Sequence, residues 1–309
     1  MQFLFNTARL RDSRFWRVVG QALAVLAIVL VLIFFTANLI RNLNQLGIRL
    51  GFRFLNSQAG FTIGESVIPF QPSDTYGRAL LVGLLNSLRV IITGILFATL
   101  VGVTAGIARL SNNWLVRTIA LVYIEVLRNT PLLLQLLFWY FAVFLTLPNP
   151  DQPLQGLGFA ISNGGLVLAG GLRLSPEFSA LLMGLSLYTG TFIAEIVRGG
   201  IQSVPKGQWE AAQSLGLKPA QTMGLVILPQ ALRAIVPPLG NQYLNLAKNS
   251  SLAIAVGFPD LYAVASTTFN QTGRAVEVMV LISLTYLSIS LVIALLLNWY
   301  NRRVQLVER

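Results

Sequence analysis

The residues best suited to chemistry are polar side chains inside otherwise apolar stretches. Lys248 lies in the stretch 234–259 and is followed by Asn249, Ser250 and Ser251. An ionisable group at membrane depth is costly, and it marks a functional position by default. Asn and Ser are favoured at helix starts, where free N–H groups and the helix dipole attract an anion. The run therefore predicts a broken helix that restarts here and binds a carboxylate. The open alternative for Lys248 is a structural ion pair or a contact with backbone carbonyls across an interface with a partner chain.

A second polar group lies in the stretch 178–197. Thr191 and Glu195 are four residues apart, so they share one face of a helix, and Thr189 precedes them. Glu195 could receive an ammonium group while Thr191 hydrogen-bonds beside it, and Thr189 joins the same candidate site. The alternative that stays open is an ordinary ion pair between Glu195 and Arg198.

A third candidate surrounds Pro131, which loosens the helix that contains it. Arg128 precedes this proline and Gln135 follows it by one turn. Backbone carbonyls freed inside a membrane need polar partners. Arg128 is therefore either a substrate contact or a partner for these carbonyls, and Gln135 is expected to line a path through the membrane.

The composition excludes most catalytic chemistry. Of 309 residues 55% are hydrophobic and 11% are charged, and His and Cys are absent. A soluble domain carries about 25% charged residues, so this chain is a membrane protein. Without His or Cys there is no thiolate or imidazole metal site and no Ser-His-Asp or Cys-His catalytic set. The net charge of +11 comes from arginines that flank apolar runs, which indicates membrane topology and no nucleic-acid partner.

Six apolar stretches are long enough to cross a lipid bilayer, which needs about 20 residues. They are 18–40, 79–108, 118–147, 178–197, 234–259 and 278–301. The segment 148–176, rich in Pro, Gly and Asn, is expected to be a loop. We therefore divide the chain into an N-terminal segment with an extra span (1–40), a connector (41–78), a five-helix core (79–301) with a polar loop (199–233), and a C-terminal tail (302–309).

The distribution of Lys and Arg assigns the sides of the membrane. These residues are more numerous in the terminal segments and in 199–233 than in the segments between them, so both termini and that loop are expected to be cytoplasmic. The segment 41–78 then faces outward. It either lies on the membrane surface or is an ordinary connector.

The loop 199–233 has the local signals of a helical hairpin. Pro205 suits a helix start, Gly216 suits a helix end, and Pro219 starts a second helix. Ala211, Ala212 and Gly216 are expected to form a small-residue surface that a partner could approach closely.

A motif with fixed spacing lies in this loop: Glu210-Ala211-Ala212, three intervening residues, Gly216, nine intervening residues, and Val226-Ile227-Leu228-Pro229. It resembles the EAA motif of ABC importer permeases. Val226 replaces the usual Ile. The resemblance implies an all-α membrane protein with the type I ABC importer fold, six transmembrane helices and a cytoplasmic coupling helix. It implies that a separate ATPase subunit docks on the residues of the motif, namely Glu210, Ala211, Ala212, Gly216, Leu228 and Pro229. The alternative is a surface hairpin with no partner.

Other runs are similar to the polar amino-acid branch of these permeases, and to its general L-amino-acid sub-branch. They are Gly83 to Leu88, Leu127 to Leu132, Ala194 to Gly200, Lys248 to Leu252, and two runs in 41–78. The resemblance implies an amino-acid substrate, a periplasmic binding protein and a bacterial inner-membrane location. It also implies a second permease chain, with a heterodimer favoured over a homodimer. ATP and Mg²⁺ belong to the ATPase, because none of the three lysines lies in a phosphate-binding loop motif.

Two other classes of protein compete with this interpretation. A secondary transporter or channel for small polar solutes needs ion or proton relays at mid-membrane, and the sequence shows few acids and no inverted repeat. An intramembrane enzyme needs paired acids, metal ligands or a nucleophile with its base, none of which is visible.

Overall fold

A computed structural model describes residues 13–45, 47, 50–156, 158–168 and 170–304, with side chains from Trp16 to Asn301. The predicted cytoplasmic arginines Arg9 and Arg11 and the end of the tail, 305–309, lie outside the described residues. The chain forms two units, 1–52 and 53–309. The first unit contains α1 (Ser13–Gln45), a long apolar helix that confirms the first predicted span.

The second unit is mainly helical. In chain order its α-helices are α2 (Tyr76–Ala108), α3 (Trp114–Arg128), α4 (Leu132–Leu137), α5 (Pro176–Gln202), α6 (Lys206–Ser214), α7 (Leu228–Asn249), α8 (Leu261–Thr272) and α9 (Ala275–Val304). Within the described residues five helices are long and apolar enough to cross a membrane, and a sixth span results if one bent pair is counted. Five of the six predicted spans are confirmed, and the third depends on how this bent pair is counted.

The bent pair corrects the prediction of a continuous span over 118–147. The helices Trp114–Arg128 and Leu132–Thr146 meet at 106°. The second of them begins as α4 and continues through a π-helical segment, Phe138–Val143, and a short 3₁₀ turn. Pro131 stands at the corner, where the lack of an N–H and the restricted residue before it end α3.

Helices α2 and α5 form the centre of the bundle and pack more extensively than any other pair of described elements. Glycines permit their close approach. A Cβ atom on Gly102 would lie 2.5 Å from Ile193 Cβ and 2.9 Å from the carbonyl oxygen of Gly190. Small residues at such crossings allow the van der Waals contact that holds membrane helices together.

We expect Gly102→Ala to lower the free energy of unfolding by about 1–3 kcal/mol, because overpacking forces the two helices apart. The measurement is the midpoint of thermal unfolding in detergent. Gly199→Ala is the matched control, since a Cβ atom there meets nothing within 4 Å. Equal midpoints for the two variants would contradict the packing described for α2 and α5.

The segment 148–176 is not the plain loop that its composition suggests. It contains a four-stranded antiparallel sheet in the order β1-β2-β3-β4, with β1 Leu154–Gly156, β2 Phe159–Ser162, β3 Gly165–Leu168 and β4 Arg173–Leu174. The sheet is followed by Ser175, whose hydroxyl accepts a hydrogen bond from the N–H of Phe178 at 3.0 Å and so caps α5.

Residues 53–75, called the strap below, fold against the bundle. Phe54, Phe61 and Phe70 pack with Tyr76 at the start of α2 and with Val264 of α8. A backbone hydrogen bond holds the two ends of the strap together: the Ala59 N–H donates to the Asp74 carbonyl at 2.8 Å. This packed arrangement was not part of either interpretation of 41–78.

Glu65 of the strap ties three helical elements together. Its carboxylate pairs with Arg89 of α2 and accepts a hydrogen bond from the Ser175 hydroxyl. Its backbone carbonyl accepts from Asn86 at 2.8 Å, and the same amide group donates to the Pro259 carbonyl at 2.8 Å. Arg89, the one charge in the second predicted span, is thereby neutralised as a membrane environment requires.

Candidate functional site

The hairpin between α5 and α7 forms as the sequence predicts. Pro205 precedes α6, and Gly216 ends the turn with φ of +73°, a conformation that favours glycine. The Leu217 N–H donates to the Ala212 carbonyl at 3.2 Å, which closes the helix end. Lys218 then leads into a helical turn at Pro219–Gln221 and a π-helical segment, Thr222–Ile227, before α7.

The exposed surface of the hairpin differs in one residue from the predicted one. Glu210, Ala211 and Gly216 are exposed, as docking would require. Ala212 is only 2% exposed, so its predicted place on the docking surface is wrong. On a helix, adjacent residues point about 100° apart, and Ala212 therefore points inward when Ala211 points outward. Leu215, which is 80% exposed, adds an apolar side chain to the surface beside Gly216 that the motif did not indicate.

The hairpin is held firmly to the helices on either side of it. Trp209 of α6 packs against a cluster that contains Ile201 near the end of α5 and Ile227 just before α7. The Gln230 amide of α7 donates to the side-chain oxygen of Gln208 at 3.1 Å. Helix α6 is therefore in contact with the elements on both sides of it.

Leu228 and Pro229, the last elements of the predicted docking motif, are exposed in the first turn of α7. A proline is tolerated there because the first N–H groups of a helix have no partner within it. Both residues are thus free to contact a partner, although the structure assigns them no role of their own.

Lys248 lies one residue before the end of α7 and is exposed. It forms no ion pair or side-chain hydrogen bond with any residue that the structure describes. The structural alternative for Lys248, a contact with a partner chain, is therefore open beside its predicted role in substrate binding.

The helix does not restart after Lys248, and the prediction of a break at 249–251 is wrong. The Ser250 N–H donates to the Leu246 carbonyl, and α7 continues directly into a 3₁₀ helix, Ser250–Val256. The Ser250 hydroxyl donates to the Ala247 carbonyl and the Ser251 hydroxyl to the Lys248 carbonyl, each at 2.8 Å. No row of free N–H groups is available for a carboxylate at these residues.

Asn249, Ser250 and Ser251 also differ in their access to a solute. Ser250 is 1% exposed, whereas Asn249 and Ser251 are half-buried. Contact with a substrate in the described conformation is therefore restricted to Asn249 and Ser251, and it stays a prediction.

Glu195 adopts the ion pair that was its alternative interpretation. Its oxygens accept from Arg198 at 2.7 and 3.2 Å, and Arg109 Nε lies 4.0 Å away. Thr191 is fully buried and donates to the Tyr188 carbonyl at 2.7 Å. Thr189 is 3% exposed. The structure does not bring Thr189, Thr191 and Glu195 together around an open site.

Of Arg128 and Gln135, only Gln135 bonds to the carbonyls at the corner between α3 and α4. Arg128 pairs with Glu125 at 3.4 Å. Gln135 is 4% exposed, and its amide donates to the carbonyls of Leu127 at 2.7 Å and Thr130 at 3.0 Å. Gln135 supplies the polar partner that carbonyls freed near Pro131 need, and its expected position along a path is wrong.

Two groups of polar residues were not recognised in the sequence. The first is Glu65, and its signal was the uncompensated Arg89 in the second span. The second is Asn241 and Asn245, which are exposed on α7 in line with Lys248. Their spacing of four and three residues could have shown a shared helix face. Among the described residues no group of His, Cys, Asp or Glu is placed to hold a metal.

The sequence and the fold were compared with known proteins. The family described as "Binding-protein-dependent transport system inner membrane component" matches residues 94–306. The putative amino-acid ABC transporter permease protein YhdX of Escherichia coli K12 is 42% identical over 94% of each chain. The general L-amino acid transport system permease protein AapQ of Rhizobium johnstonii is 39% identical over 96% of this chain and 94% of its own.

One solved structure agrees in both sequence and fold. The crystal structure of an amino acid ABC transporter with histidines includes a chain that is 31% identical, with a TM-score of 0.60 over 74% of this chain and 95% of that one. The match confirms the predicted type I ABC importer fold. Components of this kind span the inner membrane several times and work with ATPase subunits and a substrate-binding protein, and they are not catalytic themselves. The chain therefore belongs to the family of inner-membrane permease components of binding-protein-dependent transport systems.

Proposed function

We propose that this chain is the permease subunit of an ATP-driven importer of amino acids, and that α6 is its coupling helix. The observation that carries the proposal is the exposed hairpin, which is anchored to α5 and α7 through Trp209, Ile227 and Gln230. The amino-acid cargo is supported by the names of the relatives, which are amino-acid permeases. The chain performs no covalent chemistry.

The hairpin offers a small surface of mixed character to an ATPase subunit. Glu210 provides a charge, Leu215 an apolar anchor, and Ala211 and Gly216 allow close approach. Covering Leu215 with a partner would remove apolar surface from water, which favours docking. ATP and Mg²⁺ bind in the ATPase. Its closure moves α6, and α5 and α7 move with it to switch the cavity between the two sides of the membrane.

The orientation follows from the same assignment. The hairpin is cytoplasmic, and the excess of Lys and Arg in the terminal segments supports the same side for both termini. The strap and the small sheet then lie near the outer face, where a substrate-binding protein delivers the solute. A second, different permease chain completes the membrane part of the complex.

Lys248 is the residue that we propose for contact with the α-carboxylate, with Asn249 and Ser251 beside it. Its support is the unpaired charge at the end of α7. Glu195 and Arg128 are already ion-paired, so they contribute to the site only if those pairs open during transport.

The test is purification of the chain with the proteins encoded beside its gene, followed by ATPase assays with a panel of single amino acids. We expect the ATPase to co-purify and amino acids, presented with the binding protein, to stimulate it. Stimulation by sugars or metal ions, with none by amino acids, would contradict the proposed cargo. A chain that purifies without any ATPase would contradict the role of α6.

A further inference from the structure

Helix α7 carries a stripe of polar residues on one face. Asn241, Asn245 and Lys248 are spaced by four and three residues, which places them within about 60° of one another around a helix. All three are exposed, and none of their side chains bonds to another residue in the described part of the chain. We call these three residues the α7 stripe.

The opposite face of α7 is apolar and packed. Ile235 lies against Gly200 of α5, Leu246 against Gly94 of α2, and Gly240 against Leu297 of α9. The two faces of the helix are therefore sharply different. The α7 stripe is the part of the helix that this subunit leaves uncovered.

Lipid cannot cover such a face. Amide and ammonium groups have no hydrogen-bond partners in hydrocarbon, so polar residues at membrane depth face water or protein. The exposed positions of α9 contrast with this. Leu284, Leu287, Leu291 and Leu295 are each more than half exposed, as suits contact with acyl chains. The exposed residues of α9 are thus apolar and suit lipid, whereas those of the α7 stripe are polar and suit water or protein.

Backbone acceptors add to the polar character of the same side. Pro237 and Pro238 lie inside α7 and have no N–H, so the carbonyls of Arg233 and Ala234 lack their helix donors. Arg233, Ala234 and Pro237 are exposed. Helix carbonyls point toward the C-terminus, which directs these two toward the α7 stripe.

We infer that the α7 stripe lines the water-filled translocation path. Asn241 and Asn245 bind the moving solute on the side of Lys248 that is nearer to the hairpin. The inference rests on the proposed function, because it takes the solute to be an amino acid. Donors at the stripe match a carboxylate, and the free carbonyls about two turns from Asn241 match an ammonium group. The α7 stripe carries a positive charge and no acid, which suits a zwitterionic solute. A permanent contact with another protein would need an acid buried opposite Lys248 to balance its charge.

The natural absence of cysteine makes the accessibility of the stripe measurable. Asn241→Cys, Asn245→Cys and Lys248→Cys are made singly in the complete transporter and treated with a charged thiol reagent on both sides of the membrane. Leu284→Cys is the lipid-facing control, and Asn112→Cys in the exposed α2–α3 loop is the solvent control. We expect the stripe positions to react like Asn112→Cys and unlike Leu284→Cys.

A mixture of the common L-amino acids, presented with the binding protein and ATP, tests for contact with the solute. The mixture is expected to slow labelling of the stripe. The corresponding methyl esters lack the carboxylate charge and are expected to leave the labelling rate unchanged. If the stripe positions react as slowly as Leu284→Cys, the inference is wrong and the stripe is buried against the second permease. If they react fast and the amino-acid mixture does not slow the reaction, the stripe does not contact the solute.

Uptake provides the second measurement. Asn241→Leu and Asn245→Leu should each lower the rate of uptake about tenfold, because a hydrogen bond to a charged group is lost, while assembly is unchanged. Asn298→Leu, at an exposed asparagine of α9, is the matched control and should transport normally. Normal uptake in both stripe variants would contradict the inference. If the unmodified complex carries no amino acid, the proposed function fails, and labelling alone still decides whether the stripe faces water.

Discussion

Replacing Gly216 by valine is expected to abolish ATP-driven uptake while the chain still inserts into the membrane. Gly216 has φ of +73°, which a β-branched residue adopts only with strain. The corner of the hairpin would rearrange, and Leu215 beside it would no longer face the ATPase. The measurements are uptake in proteoliposomes and the amount of ATPase that co-purifies with the chain.

Two control variants separate backbone strain from loss of the docking surface. Gly216→Asn should keep much of the uptake, because Asn tolerates the left-handed conformation better than other residues with side chains. Gly207→Ala changes an exposed glycine inside α6 that has no positive φ, and a Cβ atom there meets nothing within 4 Å, so it should behave as the unmodified chain. Uptake by Gly216→Val at the unmodified rate would remove the hairpin from the coupling mechanism.

Replacing Lys248 by methionine is expected to lower kcat/KM for uptake by about tenfold or more, since a charge-assisted contact with the carboxylate is lost. Methionine keeps most of the apolar stem, so packing changes little. Lys248→Arg keeps the charge and should recover part of the rate. Uptake is measured over a range of concentrations of binding protein loaded with solute.

The same variant distinguishes the two interpretations of Lys248. If Lys248 pairs with an acid of the second permease, Lys248→Met leaves that acid buried without a positive partner. The complex should then dissociate during size-exclusion chromatography. If Lys248 contacts the solute, the complex stays intact and only uptake changes. Normal uptake with normal assembly would exclude both roles.

Local signals in the sequence predicted much of the architecture. The length of the apolar stretches identified the membrane spans, because a helix needs a minimum number of residues to cross the hydrocarbon core. Pro205, Gly216 and Pro219 predicted the hairpin, because each residue has a backbone preference that acts within one turn. These predictions needed no knowledge of distant residues.

Features that depend on distant residues were missed. Pro131 indicated a disturbed helix, but the 106° corner depends on what α3 and α4 pack against. The strands of the small sheet have two to four residues, too few for an alternating pattern to stand out. Glu65 meets Arg89 and Ser175 across 24 and 110 residues of sequence, which no local pattern reveals.

The candidate substrate site was predicted in part. Lys248 was identified because a charge at membrane depth is unusual in itself. The predicted helix break was wrong because Ser hydroxyls can also bond to carbonyls of their own helix, as Ser250 and Ser251 do. Asn241 and Asn245 escaped notice because neutral amides are not conspicuous until the structure shows which face of α7 is uncovered.

The central claim is that α6 passes work from a separate ATPase to the membrane helices. Its most direct test is uptake of amino acids by proteoliposomes that contain the permease chains and the binding protein, with and without the ATPase subunit and ATP. The account predicts uptake only when both the ATPase and ATP are present, and none when Gly216 is replaced by valine. Uptake by this chain reconstituted without an ATPase would contradict it.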